Sequence, residues 1–234
     1  MNAKFRKWTV VASVATLMAG CAAQPPVGTA MTDAERAKAK KDCITHYTVV
    51  GSIGGAFLGL LTSGRKDRGS GALLGAVAGG ALGAALAWGH CMKLYSNLDS
   101  YPVADARETA RLTGYQPAKG KQVKIQSFLV DPVSTAPGRE VRLNGSYYVM
   151  APDESREVKV VETRTVSYYD ESERTWKELG SVDAQLTAAL GTRKAEGRFE
   201  LPPDVPEGRY RLAFKVDALG RSDEVSQEIM VRKG

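Results

Sequence analysis

The chain has 234 residues, of which 43% are hydrophobic and 25% charged, with a formal charge of +6, two histidines and three cysteines. That length allows one fair-sized domain plus additional segments. The positive excess is too mild to argue for nucleic acid, and both histidines, His46 and His90, stand beside cysteines, which leaves no Ser/His/Asp set for nucleophilic catalysis.

Lys4, Arg6 and Lys7 precede an apolar stretch from Trp8 to Met18, and Leu17-Met18-Ala19-Gly20-Cys21 follows. A basic head, an apolar core and a small-residue cleavage site make residues 1–20 a secretory signal. The apolar run is about half the length needed to span a bilayer. A cysteine directly after Ala19-Gly20 resembles the lipobox of bacterial lipoproteins, with Met18 where that box usually has Leu. The resemblance implies cleavage before Cys21 and acylation of Cys21. With Ala22 rather than Asp next, it also implies sorting to the outer membrane of a Gram-negative cell. An ordinary secretory signal that happens to contain a cysteine is the alternative. Loss of Lys4, Arg6 and Lys7 takes the charge from +6 to about +3, and Cys43 and Cys91 then sit in an oxidising compartment.

Residues 21–42 read as an acylated tether and a short polar helix. The helix starts at Thr32, with Glu35 three residues on, a capping box. Residues 43–92 carry two glycine stripes. Gly51, Gly55 and Gly59 recur at every fourth position, as do Gly71, Gly75, Gly79 and Gly83, and the polar segment "GRKDRG" lies between them. Each glycine weakens a helix by roughly 1 kcal/mol relative to alanine, so a stripe of them needs a reason. Two bare ridges let helix backbones approach closely in lipid. In an antiparallel pair, Gly51 meets Gly83, Gly55 meets Gly79 and Gly59 meets Gly75, because the numbers of each pair have one common sum. Cys43 and Cys91 share that sum, which reads as a disulfide closing the open end of the hairpin. Cys43-x-x-His46 with His90-Cys91 offers a competing set of zinc ligands, although adjacent helical residues point about 100° apart. His46, Tyr47, Trp88 and His90 otherwise read as a belt at a membrane interface.

The lipobox and paired stripes together resemble the glycine-zipper 2TM lipoproteins, a group that includes the rickettsial surface antigens; the match covers roughly residues 21–92. The resemblance implies a hairpin in or at a membrane. Arms 44–63 and 70–89 each have about the length that spans a bilayer. Alternatively, the hairpin packs against its own soluble domain. Lipid at Cys21 puts Arg65, Lys66 and Arg68 across the membrane, which by the positive-inside rule favours the inner membrane. The sorting signal favours the outer one, and that reading is kept.

Residues 93–119 read as a helical linker ending at Gly114. From Lys121 the apolar period changes from four to two. Val123, Ile125 and Leu129, then Val141, Leu143, Tyr147 and Val149, then Val158, Val160 and Val166, then Tyr210, Leu212, Phe214 and Val216, then Val225, Ile229 and Val231 mark strands. About seven strands without long helices between them predict a sandwich over residues 120–234. Gly208-x-Tyr210 at the start of an alternating strand resembles the tyrosine corner of immunoglobulin-like sandwiches.

The expected fold is therefore α+β: an antiparallel glycine-zipper hairpin followed by an all-β immunoglobulin-like sandwich. Asp153, Glu154, Asp170, Glu171 and Glu173 fall in turns and read as solvent-facing. No phosphate-cradling loop is present. The expectation is a cell-envelope lipoprotein, not an enzyme, with no cofactor and no metal. Its partners would be membrane lipid and an envelope protein or polymer, without nucleic acid, and it would face the periplasm or the cell surface. The alternative is a homo-oligomeric membrane assembly, a scaffold or pore built through the zippers.

Overall fold

The computed structural model describes residues 32–46, 85–153 and 157–233. Readings placed on the signal segment, on Cys21 and on Gly51, Gly55, Gly59, Gly71, Gly75, Gly79 and Gly83 lie outside those residues.

Two helices come first, α1 over residues 33–46 and α2 over residues 85–95. Strand β1 (Ser96–Asp105) and helix α3 (Ala106–Thr113) follow. Then come β2 (Gln122–Asp131), the two-residue β3 (Ser134–Thr135), β4 (Glu140–Met150), β5 (Glu157–Asp170), β6 (Thr175–Ala189), β7 (Gly191–Glu200), β8 (Gly208–Ala218) and β9 (Arg221–Val231). The described chain is mostly a β-sandwich with few helices.

One sheet has the order β1-β7-β4-β2 and the other β3-β9-β8-β5-β6. All neighbours pair antiparallel except β3, which runs parallel to β9. The alternation legible in the sequence is the alternation of burial. Val141, Leu143, Tyr147 and Val149 of β4 point inward, as do Tyr210, Leu212, Phe214 and Val216 of β8. Burying each such side chain contributes about 1.5–3 kcal/mol. Phe214 stacks on Phe128 at 5.6 Å between ring centroids and meets Tyr147 at 6.1 Å.

The free edge of β2 is closed by side chains of β9. Asp223 accepts the Ile125 N–H at 2.8 Å, while Gln227 accepts the Val130 N–H at 2.9 Å and donates back to the Val130 carbonyl at 3.3 Å. Those three backbone groups therefore have partners without a further strand.

The sandwich begins earlier than the sequence implied. Residues 96–105, read as part of a helical linker, form β1, paired with β7 from Ser96 opposite Phe199 to Asp105 opposite Gly191. Only Leu98 supplies a sizeable inward apolar side chain over its first half, so β1 lacks the alternation that marks a strand. Its pairing comes from β7. Pro102 is tolerated because β1 is an edge strand and the ladder is irregular between Pro102 and Ala104. Helix α3 does fall inside the expected linker. Asp105 caps it by accepting the Glu108 N–H at 2.8 Å, and it ends at Gly114. Strands β6 and β7 had no run of their own in the sequence reading.

Candidate functional site

The described cysteines lie where the helices meet the sandwich. Helix α1 starts on a reciprocal cap: the Thr32 N–H donates to the Glu35 carboxylate at 2.8 Å, and the Glu35 N–H donates to Thr32 Oγ1 at 3.3 Å. One turn before its described end, Cys43 is disulfide-bonded to Cys91 of α2, with Cα atoms 6.0 Å apart. Both sulfurs are consumed, so neither is a thiolate for the zinc set considered from sequence. Among the described residues no three His, Cys, Asp or Glu side chains are grouped to hold a metal.

Helix α2 packs into the sandwich. Ala85, Trp88 and Met92 join the cluster formed by Val166, Leu179, Val182, Phe199, Leu201 and neighbouring side chains. Trp88 is 1% exposed. This corrects its reading as part of an interfacial belt: the indole fills the apolar gap between the sheets instead. Its Nε1–H has no hydrogen-bond partner among the described residues, so apolar packing rather than polar anchoring fixes the ring. His90, by contrast, is exposed.

Close backbone contact makes the docking specific. A Cβ on Gly89 would lie 1.9 Å from the Leu179 carbonyl oxygen, and one on Gly180 would lie 2.5 Å from the Gly89 carbonyl oxygen. Two glycines facing each other let α2 touch the backbone of β6. Ala87 and Cys91, which continue the four-residue spacing of the second stripe, are also buried. Helix α1 adds an ion pair between Lys40 and Glu200, places the Lys40 ammonium 4.9 Å above the Tyr95 ring centroid, and packs Ile44 on the same cluster.

Beside this junction, between the two apolar halves of the core, lies a buried charged group. Glu162 and Arg164 project inward from β5, with Arg164 Nη2 2.8 Å from Glu162 Oε2. The other carboxylate oxygen accepts Ser100 Oγ at 2.6 Å and the Tyr147 hydroxyl at 2.7 Å. Arg193 in turn donates to the Ser100 carbonyl at 2.9 Å. Burial, and then the Glu162 charge, push the Tyr147 hydroxyl well above its ordinary pKa. Arg164 stacks over Phe214 at 5.0 Å, and its Nη1 has no hydrogen-bond partner among the described residues. The sequence reading passed over this pair. Its signal was parity: positions 162 and 164 share the inward register of Val158, Val160 and Val166.

Of the acidic residues assigned to turns, Asp170 is buried rather than solvent-facing. Lys177 lies 2.6 Å from it, and it accepts the Ser172 N–H and hydroxyl and the Glu173 N–H. It is a turn-fixing residue. Glu171 is exposed and pairs with Arg209, and Glu173 pairs with Lys177. The Tyr210 hydroxyl donates to the Pro206 carbonyl at 2.7 Å, closing the corner before β8.

Residues 46–87 match the family described as the glycine zipper 2TM domain, which points to membrane association. That segment lies almost wholly outside the described residues, and among the described residues no helix is long and apolar enough to cross a membrane. No curated protein matches the chain. Among solved structures, the sporulation control protein Spo0M of Bacillus subtilis is 16% identical at TM-score 0.33, over 48% of this chain and 50% of that one. The alkylpurine DNA glycosylase AlkC of Pseudomonas fluorescens is 12% identical at TM-score 0.36, over 83% and 47%. The C-terminal domain of wzt is 15% identical at TM-score 0.35, over 54% and 86%. The chain thus spans about half the length of the first two. Likenesses this distant carry no argument about what the chain does.

Proposed function

We propose that the protein is a cell-envelope lipoprotein of the outer membrane that holds an immunoglobulin-like head rigidly above a membrane-seated hairpin. The head is presented to an envelope protein or polymer. The observation that carries this reading is the junction. Trp88 and Met92 of α2 are part of the sandwich core, and the Cys43–Cys91 bond ties α1 to the same helix. The glycine segment lies between those two cysteines in the chain, so the described residues on both sides of it are tied together and held against the sandwich.

The immunoglobulin-like reading rests on strand order and on one hydrogen bond. Strands β2, β4 and β7 would be A, B and E; β5, β8 and β9 would be C, F and G; β6 would extend that sheet as C′. The short β3 beside β9 matches a first strand that changes sheets. Tyr210 near the start of β8, bonded to Pro206, matches a tyrosine corner. The place of strand D beside E is filled by β1, from the N-terminal side.

Fractionation tests the anchoring. Membranes from cells producing the full chain are separated into inner and outer, then extracted with alkaline carbonate. The same is done with Cys21→Ala behind a cleavable secretion signal. The proposal expects the native chain in the outer membrane and the unlipidated chain still carbonate-resistant. If the unlipidated chain becomes soluble, the zipper does not enter lipid and acylation alone holds the protein. If the native chain sediments with the inner membrane, the location is wrong.

A further inference from the structure

At the end of the sandwich away from α1 and α2, beside the end of α3, an open cavity of about 390 Å³ is lined by Lys119, Lys121, Lys124 and Arg221, together with Tyr148 and Ser222. Four cations surround one space, and no carboxylate is among the lining residues. Like charges gathered this way raise the local potential and favour an anion.

Two of the cations are held in place. Lys119 donates to the Gly114 carbonyl, at the end of α3, at 2.7 Å. Lys124 lies 3.2 Å from Asp223, whose carboxylate is itself fixed by the Ile125 N–H. Lys121 and Arg221 are exposed and make no ion pair among the described residues. Asp223 offsets one of the four charges, so a surplus remains. Neutral groups complete the lining: the Ser222 hydroxyl, the half-buried Tyr148 ring, and the Tyr148 hydroxyl, 3.5 Å from Gln122 Oε1.

We propose that this cavity binds an acidic saccharide, a sugar unit bearing a phosphate or carboxylate. The surplus cations recognise the acid group. The aromatic face and the neutral hydroxyls suit the ring and its hydroxyls. The depression is open to solvent and has room for more than one inorganic anion. Position separates this ligand from the headgroups of the protein's own membrane. The cavity sits at the start of β9, whose far end, Val231, lies in the cluster with Trp88. Eleven residues of strand separate the two ends, roughly 35 Å. Taking an envelope polymer as the source of the sugar acid rests on the function proposed above; the binding itself does not.

The test uses the full-length chain in a polyoxyethylene detergent, which carries no sugar. Calorimetric titration with glucuronate and with glucose 6-phosphate is compared with glucose, inorganic phosphate and a polygalacturonate chain. Both acidic sugars should bind, and glucose should not. The Lys121→Glu/Arg221→Glu double variant should weaken binding about tenfold or more, as should 0.5 M salt relative to ~0.05 M. Lys194→Glu, on β7, should change nothing. The single variants Lys121→Ala and Arg221→Ala give the same reading should the double variant fail to fold. Tighter binding of polygalacturonate than of glucuronate supports a polymer source, and equal binding supports a free sugar acid. The proposal fails if inorganic phosphate binds as tightly as the acidic sugars, if binding survives the charge reversals, or if neither acidic sugar binds. None of those results bears on the anchoring, which the fractionation decides separately.

Discussion

Glu162 and Arg164 bury two opposite charges on one strand. They pair through one contact, Tyr147 and Ser100 complete the carboxylate, and Arg164 Nη1 has no partner among the described residues. Removing one partner leaves the other ionised and buried, which costs about 3–5 kcal/mol, whereas replacing both with apolar residues of similar size is often neutral or stabilising. Glu162→Leu is therefore expected to lower the urea-unfolding free energy by about 3–5 kcal/mol. The double variant Glu162→Leu/Arg164→Met should recover most of the loss. A double variant as unstable as the single would show that the pair is not an isolated charge couple. Asp170 gives a pH-dependent expectation. Lys177 first, then Ser172 and the Glu173 N–H, hold its carboxyl well below the usual carboxylate range. A depressed native value means that its stabilising contribution is full above the unfolded value, near ~3.9, and is lost as pH falls through the native value. The urea midpoint of the native chain should therefore drop more steeply below about pH 4 than that of Asp170→Asn. Parallel curves would remove Asp170 from the account.

At the scale of elements, the decisive contact is the one between α2 and β6. Gly89 and Gly180 bring two backbones together where no Cβ fits. Gly180→Ala should cost about 1–3 kcal/mol through forced separation. Gly89→Ala should cost a similar amount, offset only slightly by alanine's better helix propensity. Because both changes break one contact, the double variant should lose little more than the worse single one. Full additivity in equilibrium unfolding would mean that the two glycines do not face each other. The stripe was legible in the sequence as spacing, and so was the parity of the β4 and β8 strands. Gly89, off the stripe, was not, because its need for a bare α-carbon comes from β6, some 90 residues later in the chain. Nor was β1 legible, since its pairing with β7 supplies what its own side chains lack.

For the whole molecule, the question is whether α2 and the sandwich move as one body. Trp88 reports on it directly. The tryptophans are Trp8, Trp88 and Trp176, so a Trp8→Phe/Trp176→Phe variant isolates Trp88. With Trp88 in the core, its emission should be blue-shifted, and brominated lipids in reconstituted vesicles should not quench it. Strong quenching by those lipids would place the indole in the bilayer and detach α2 from the sandwich.

The sequence by itself determined the local features: the four-residue spacing of two glycine stripes, the shared sum that pairs Cys43 with Cys91, and five strands marked by alternation. Each depends on residues within a few positions, or on one arithmetic spacing, so each can be read without the fold. Tertiary structure alone decided that 96–105 is a strand, that Trp88 belongs to the core and that Lys119, Lys121, Lys124 and Arg221 meet around one cavity. The reason is distance along the chain. Those outcomes depend on partners tens of residues away, whose packing overrides local propensity and brings together charges that the sequence keeps apart.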